Sequence, residues 1–287
     1  MTPPAELVLH LTENGTFEAL YGEKARKSQD WQIRAFTNLF PAFSSSPHVV
    51  NESGKVLFPY GYHMISVDTP SHNRDIDSFT DLELSAYIEG LRLVKDMCER
   101  DNKIKYVSIF KNQGKEAGAS IPHSHTQIIG SERIPPVIAR ELALTEKIEN
   151  EEGQRAMSKL IKESEEEQRI ILSQGNFTVL TPFAPISPYE FWIVPTRKEV
   201  DWEERSSGFG RVLKLMISSM KKLLGLVPYN FYLHLSPRGV TEFWWHLECI
   251  PRVNTYAGYE LGFGTYIITL SPEESAKLYK EQIPVTE

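Results

Sequence analysis

The sequence predicts an α+β protein made of two tandem halves, each an antiparallel sheet with packed helices. One observation is an order of elements that occurs twice. Strand, helix, strand, loop and histidine-bearing strand fill residues 61–130, and the same order returns over 188–252. Another is how the copies end: His123-x-His125-x-Gln127 closes the first, and Trp244-x-His246-x-Glu248 closes the second. A third is the change of composition after Pro135-Pro136, where residues 137–173 become rich in Glu, Lys and Arg. The halves are therefore placed at 1–148 and 149–287, with the first carrying the His-x-His-x-Gln run.

Residues 1–30 hold only short apolar pieces, Leu7 to Leu11 and Phe17 to Tyr21. Arg34 to Phe43 reads as a strand entering a proline turn, and Ser44 to Pro47 as a loop. Tyr60 to Val67 alternates in the manner of a sheet strand. Thr80 with Glu83 three residues on forms a capping box, opening a helix that carries Leu84, Ile88, Leu91 and Met97 to about Arg100. Tyr106 to Phe110 is a short buried strand. In the charged stretch, Leu142, Ile148, Met157, Leu160, Ile161 and Ile171 are spaced helically, and Gly153 separates two helices. The charge itself suits a solvated face. Phe177 to Thr181 and Glu190 to Val194 read as strands around Pro182, Pro185 and Pro188. A helix from Phe209 to Leu224 stops at Gly225. Tyr229 to Leu235 pairs with Phe243 to Ile250, Thr265 to Leu270 reads as a further strand, and Ser271-Pro272 starts the last helix.

The chain of 287 residues is long enough for one large domain or two ordinary ones, and its 41% hydrophobic and 24% charged content is that of a globular protein. A formal net charge of −7 without a basic cluster argues against a nucleic-acid surface. A polyanionic ligand must be small and held by local donors. Cys98 and Cys249 are the two cysteines, and no Cys-x-x-Cys pair occurs, which excludes a disulfide framework and a thiolate zinc knuckle and suits a reducing cytoplasm. No apolar run reaches the length of a membrane span, so no membrane association is expected.

The stretch from Gly114 to Gln127 concentrates the chemistry. Strand side chains alternate between faces, so His123, His125 and Gln127 are expected on one surface, about 7 Å apart at successive Cα positions. Gly114, Ala117, Gly118, Ala119 and Ser120 add little bulk upstream, and a ligand can approach the main chain there. Imidazoles, a carboxamide and open N–H groups beside a hydroxyl suit a phosphate ester attacked by histidine. The same pair of histidines also suits a plain surface strand or two metal ligands.

These residues resemble the histidine-triad superfamily, in its galactose-1-phosphate uridylyltransferase branch. The match lies in Gly118-Ala119-Ser120-Ile121-Pro122-His123-Ser124-His125-Thr126-Gln127. It extends to Phe36-Thr37-Asn38, Thr69-Pro70-Ser71-His72-Asn73, Trp245 to Arg252 and Ala257 to Gly262. The resemblance implies that His125 takes up a nucleoside monophosphate while the His123 carbonyl orients its ring. It implies that Gln127 bonds a phosphoryl oxygen and that Ser120 contacts the diphosphate beside Gly118 and Ala119. Asn38 is implied to touch the nucleoside, Asn112 a phosphate, and Tyr259 and Glu260 the sugar. A neutral imidazole is an adequate nucleophile at pH 7, its reference pKa being about 6.5. Attack at phosphorus splits one displacement into two, the logic of ping-pong kinetics. Gln127 cannot titrate, which favours transfer to another phosphate over hydrolysis.

The resemblance also implies a structural zinc or iron site at Glu141, His234, His246 and Glu248, in the half that contacts the sugar. A second zinc site of many relatives uses a Cys-x-x-Cys pair with two histidines. This chain keeps His72 and His123 and lacks both cysteines, which leaves a weak site and suggests a hydrogen-bonding or capping role for His72. Leu39 stands where uridine-binding members often have Asp, and Tyr266 where a hexose-contacting Gln is expected. The implied activity is movement of UMP or AMP between sugar 1-phosphates, with nucleotide sugar and sugar 1-phosphate as ligands and a homodimer as the assembly. Delivery of the nucleotide to inorganic phosphate, as in nucleoside diphosphate sugar or dinucleoside polyphosphate phosphorylases, is the alternative. A non-catalytic nucleotide-binding protein is the third reading.

Overall fold

A computed structural model of the chain describes residues 5–45, 59–153, 155–204 and 208–284. Eleven strands form one sheet in which every neighbouring pair is antiparallel. Strands β1 (Leu7–Leu11) and β2 (Phe17–Tyr21) make a hairpin at one edge, followed by helix α1 (Gly22–Lys27) and β3 (Ile33–Thr37). The first repeat comprises β4 (Gly61–Val67), α2 (Asp81–Glu99), β5 (Tyr106–Gln113) and β6 (His125–Ser131). Helices α3 (Pro136–Glu152) and α4 (Ala156–Glu166) then lead to β7 (Ile170–Gln174) and β8 (Phe177–Leu180). The second repeat comprises β9 (Phe191–Pro195), α5 (Phe209–Leu224), β10 (Tyr229–His234) and β11 (His246–Pro251). Helices α6 (Gly258–Phe263) and α7 (Pro272–Lys280) complete the described chain.

The strand order β2-β1-β3-β4-β6-β5-β10-β11-β9-β8-β7 reflects the repeat. Across the β5–β10 seam, β6 answers to β11 and β4 to β9, so the histidine strands of the two copies occupy equivalent places. The two copies share one sheet. The seam runs over Ile109↔Leu233 to Gln113↔Tyr229. Residue 148, taken from sequence as the end of the first half, lies inside α3.

One face of the sheet carries the core. Leu84, Ile88 and Leu91 of α2 and Val212, Leu213, Met216 and Ile217 of α5 pack there against Ile109, Ile128, Phe231 and Leu247. Such side chains contribute about 1.5–3 kcal/mol each when fully buried. The α2 start is set as its sequence indicates: Thr80 accepts from the Glu83 N–H at 3.2 Å, and Glu83 accepts from the Thr80 N–H at 2.7 Å. Gly153 closes α3 in the left-handed conformation, with φ 65°.

Three details differ from the sequence reading, and a fourth falls partly outside the described residues. Ile171 belongs to β7, not to a helix, and is buried against the core beside Phe177. The strand from Tyr106 extends to Gln113 because β10 pairs with its second half. Thr265 to Leu270 is irregular; no described strand offers it a ladder, and a backbone without one does not hold strand geometry. The loop at Ser44 to Pro47 lies partly outside the described residues.

Candidate active site

Strand β6 decides which side chains face the helices and which face the opposite groove. Thr126 meets the Tyr87 hydroxyl of α2 at 2.9 Å, and a Cβ on Gly130 would sit 3.0 Å from the Cys98 Cβ. Positions 126, 128 and 130 thus face the helices, and His125, Gln127 and Ile129 share the other face. The same alternation puts Ser108, Phe110 and Asn112 of β5 and Asn230, Tyr232 and His234 of β10 on that face. There they line much of a cavity of about 520 Å³ that also touches Ile129, Arg252 and Tyr256.

His125 is the first residue of β6. Its Nδ1–H donates to the His123 carbonyl at 2.8 Å, which leaves the Nε2 lone pair without a partner among the described residues. Burial, and then the charge of Lys111, push the imidazole below its ordinary range against the hydrogen bond to His123, which pulls it up. A neutral ring with Nε2 bare is a nucleophile at neutral pH. His123 itself is not on the strand. Its ring leaves the surface shared by His125 and Gln127 and turns to the loop after β4, with Nε2 2.7 Å from the Thr69 carbonyl and Nδ1 3.0 Å from His72 Nδ1. Pro122 in the preceding turn breaks the alternation that the sequence suggested. The pairing gives His72 a hydrogen-bonding place.

The small-residue loop needs its glycines. Gly114 has φ 87° and a Cβ there would lie 2.9 Å from Pro228; Gly118 has φ 88°. Ser120 is exposed and Ala119 half-buried at the loop end. Asn112 accepts from the Asn230 amide at 2.8 Å, and the same amide reaches the Ala117 carbonyl at 2.8 Å, so Asn112 turns its own NH2 toward Gly118. Asn38 sits next to the Gln127 region through His63, whose Nε2 is 2.8 Å from Gln127 Oε1.

Two residues of this site were not singled out in sequence. His63 shares a face of β4 with Ile65 and Val67, against Tyr62, Met64 and Ser66, and that parity was the available signal. Lys111 is fully buried beneath the histidine turn, with Nζ 2.7 Å from Asp68, 2.8 Å from Ser124 Oγ and 3.3 Å from the His125 carbonyl. A lysine inside an apolar strand run is the corresponding signal. Asp75 lies 3.8 Å from Lys111 and is itself held by Lys221 at 2.8 Å; burial would raise its carboxyl, but the two lysines keep it below its ordinary range.

A second cluster lies across the seam. Glu141 of α3, His234 of β10, and His246 and Glu248 of β11 each offer one ligand atom, all within 4.8 Å of one another. His234 Nδ1 is 2.8 Å from Glu141 Oε1 but without hydrogen-bond direction, and both His234 Nδ1 and Glu141 Oε2 are buried unpartnered among the described residues. His246 Nε2 lies 3.3 Å from Glu248 Oε1, and two imidazoles and two carboxylates so gathered, two of them with an unpartnered atom, fit one divalent cation. Trp192 stacks on His246 at 5.0 Å and donates its indole N–H to Glu190 at 2.8 Å. Burial, with Glu248 nearby, pushes Glu190 up to about 7.

Tyr259 and Glu260 stand apart from these groups. They lie on α6, where Glu260 accepts from the Ala257 N–H at 3.0 Å and Tyr259 is exposed. No hydrogen bond or ring contact joins them to His125 or Gln127 among the described residues.

Residues 18–135 match the family of the galactose-1-phosphate uridyl transferase N-terminal domain. An ADP-glucose phosphorylase of Arabidopsis thaliana is 28% identical over 88% of this chain and 75% of its own. A galactose-1-phosphate uridylyltransferase of Thermotoga maritima is 28% identical over 88% of this chain and 85% of its own. The chain is similar over most of its length to galactose-1-phosphate uridylyltransferases. It is a nucleotidyltransferase of that type. A crystal structure of the Arabidopsis ADP-glucose phosphorylase with bound ADP-glucose superposes with a TM-score of 0.79 at 28% identity, covering 89% of this chain and 84% of that one. A uridylyltransferase structure superposes at a TM-score of 0.80 with 22% identity over 96% and 98% of the two chains, which speaks for the fold. No helix among the described residues is long and apolar enough to cross a membrane.

Proposed function

We propose that the protein moves a nucleoside monophosphate between sugar 1-phosphates through a covalent nucleotidyl-His125 intermediate. The observation that carries this reading is the His125 ring, held through Nδ1 by the His123 carbonyl at 2.8 Å, with Nε2 left without a partner among the described residues. Nε2 attacks the α-phosphorus of a nucleotide sugar, a P–N bond forms, and the P–O bond to the departing sugar 1-phosphate breaks. A second sugar 1-phosphate then attacks the same phosphorus through a phosphate oxygen, and the P–N bond breaks. Gln127, Asn112, Ser120 and the main chain at Gly118 and Ala119 supply donors to the phosphates, and Asn38 meets the nucleoside. The N-terminal strands carry this chemistry, and the C-terminal strands support it.

Glu141, His234, His246 and Glu248 hold zinc or iron in this reading. The ion supplies a cross-link between α3, β10 and β11 next to the groove. A homodimer completes the site, with Tyr259 and Glu260 offered to the partner's sugar. The exposed Leu261 and Phe263 on the same short helix support that assignment. The absence of a helical membrane span among the described residues and the two free, buried cysteines suit a cytoplasmic enzyme.

The similarity to an ADP-glucose phosphorylase favours a second reading, in which inorganic phosphate is the acceptor. Leu39, at the place often taken by Asp in uridine-binding members, bears on the base and not on the acceptor. Supplying UDP-glucose or ADP-glucose with either galactose 1-phosphate or phosphate, and measuring the nucleotide product of each pair, separates the two. Exchange only with phosphate overturns the first reading; exchange with neither acceptor overturns both.

A further inference from the structure

We infer that His63 is a positioning residue that sets which end of the Gln127 carboxamide faces the transferred phosphoryl group. The inference rests on the nucleotidyl-transfer reading above and adds a residue to it. His63 is 7% exposed on β4, on the same sheet face as Gln127 of β6. The Ala42 main-chain N–H donates to His63 Nδ1 at 3.1 Å. A ring nitrogen that accepts carries no proton, so the proton of the neutral imidazole is on Nε2. Nε2 lies 2.8 Å from the Gln127 carboxamide, which must therefore present its oxygen to His63. This conclusion does not depend on how the amide oxygen and nitrogen are placed, because the backbone N–H of Ala42 fixes the polarity of the chain of bonds.

With the Gln127 oxygen engaged, its NH2 is left as the group that faces a ligand. A phosphoryl oxygen needs a donor; an inverted amide would meet it with a lone pair. The Asn38 amide is ordered by a main-chain N–H of its own. The Phe40 N–H donates to Asn38 Oδ1 at 3.0 Å, and Asn38 Nδ2, 3.2 Å from His63 Nε2, finds no acceptor there and remains free to donate elsewhere. Segment 38–42 is also tied to β4 through the Asn38 N–H and the His63 carbonyl at 2.8 Å. The residue implied to meet the nucleoside and the residue implied to meet the phosphoryl group thus both lie within 3.2 Å of one ring nitrogen, and the ring orients the second of them.

The test has two readouts. Long-range proton–nitrogen correlation on the full-length protein, with the His63 signal assigned from His63→Gln, reports the tautomer without any turnover. A protonated Nε2 with a bare Nδ1 is expected, and the opposite tautomer overturns the inference. The second readout is the rate of nucleotide loading onto His125. Losing a phosphoryl donor outright slows such a step by about a hundred- to a thousandfold. His63→Leu leaves the donor but not its orientation and should slow loading by roughly tenfold to a hundredfold, with KM for the nucleotide sugar little changed. His63→Gln, which carries an N–H to the place of Nε2, should recover most of the rate. In a Gln127→Ala background, His63→Leu should cost less than about threefold, because coupled residues are not additive. Equal costs in both backgrounds, or none in either, overturn the inference. A wild-type protein that never takes up nucleotide refutes the transfer reading itself, and the ring spectrum then judges the hydrogen-bond assignment alone.

Discussion

Replacing Lys111 by Met removes a charge that the fold encloses completely. The ammonium and the Asp68 side chain are both 0% exposed and 2.7 Å apart. Ser124 Oγ would remain to Asp68 at 3.0 Å, while Asp68 Oδ1 already has no partner among the described residues. Methionine fills the same volume, so the loss is electrostatic and not a cavity. Breaking one side of a buried pair costs about 3–5 kcal/mol, since the other charge stays buried and uncompensated. At about 2 °C per kcal/mol for a chain of this size, the melting temperature falls by roughly 6–10 °C. Thermal and urea unfolding of wild type, Lys111→Met and the Lys111→Met/Asp68→Asn pair at pH 7 measure it. The double variant should regain more than half the loss, because an apolar and a neutral group replace the ion pair. A single variant within about 1 kcal/mol of wild type, in the range of exposed pairs, would refute the reasoning. So would a double variant no better than the single. The substitution also removes one cause of the low His125 pKa, so the acid limb of activity moves to higher pH.

Four further outcomes are expected. His125→Gln loses turnover by several orders of magnitude while its far-UV spectrum and melting temperature stay near wild type; a variant with near-normal turnover contradicts the assignment of the nucleophile. Because burial holds the His125 pKa below its ordinary value of about 6.5, the acid limb of nucleotide loading is centred below that value; a limb centred above it points to another group. Dialysis against a strong chelator lowers the melting temperature and zinc or ferrous iron restores it, whereas Glu248→Gln protein barely responds to either; protein that contains no metal by elemental analysis and ignores the chelator argues against the site. Thr80→Ala lowers stability by about 1 kcal/mol through the lost cap of α2, readable as a shift in the urea midpoint without change in slope.

Much of the fold could be read because its signals are local. Thr80 with Glu83 marks the start of α2, and Gly153 and Gly225 end α3 and α5, each through backbone demands that neighbouring residues reveal. The repeat was readable because the two copies keep the same order of elements. What could not be read depends on partners distant in sequence. The second half of β5 is a strand because β10 lies beside it, and Thr265 to Leu270 is not one because no described strand does. The site divides in the same way. His125 and Gln127 stand in a run whose spacing announces a shared face. His123 departs from that face because the turn at Pro122 precedes β6, a break that alternation alone does not reveal. Lys111 and His63 act through Asp68, Ser124, Ala42 and Gln127, contacts that exist only once β4, β5 and β6 are neighbours.

The nucleotidyl adduct is the most direct point of contact with experiment. The protein is mixed with UDP-glucose or ADP-glucose labelled at the α-phosphorus, denatured in alkali, digested and fragmented. The account predicts an acid-labile label bonded through Nε2 of His125, discharged on adding the acceptor and absent from His125→Gln. Label on another residue, or none with either nucleotide sugar under conditions where the enzyme turns over, would contradict it.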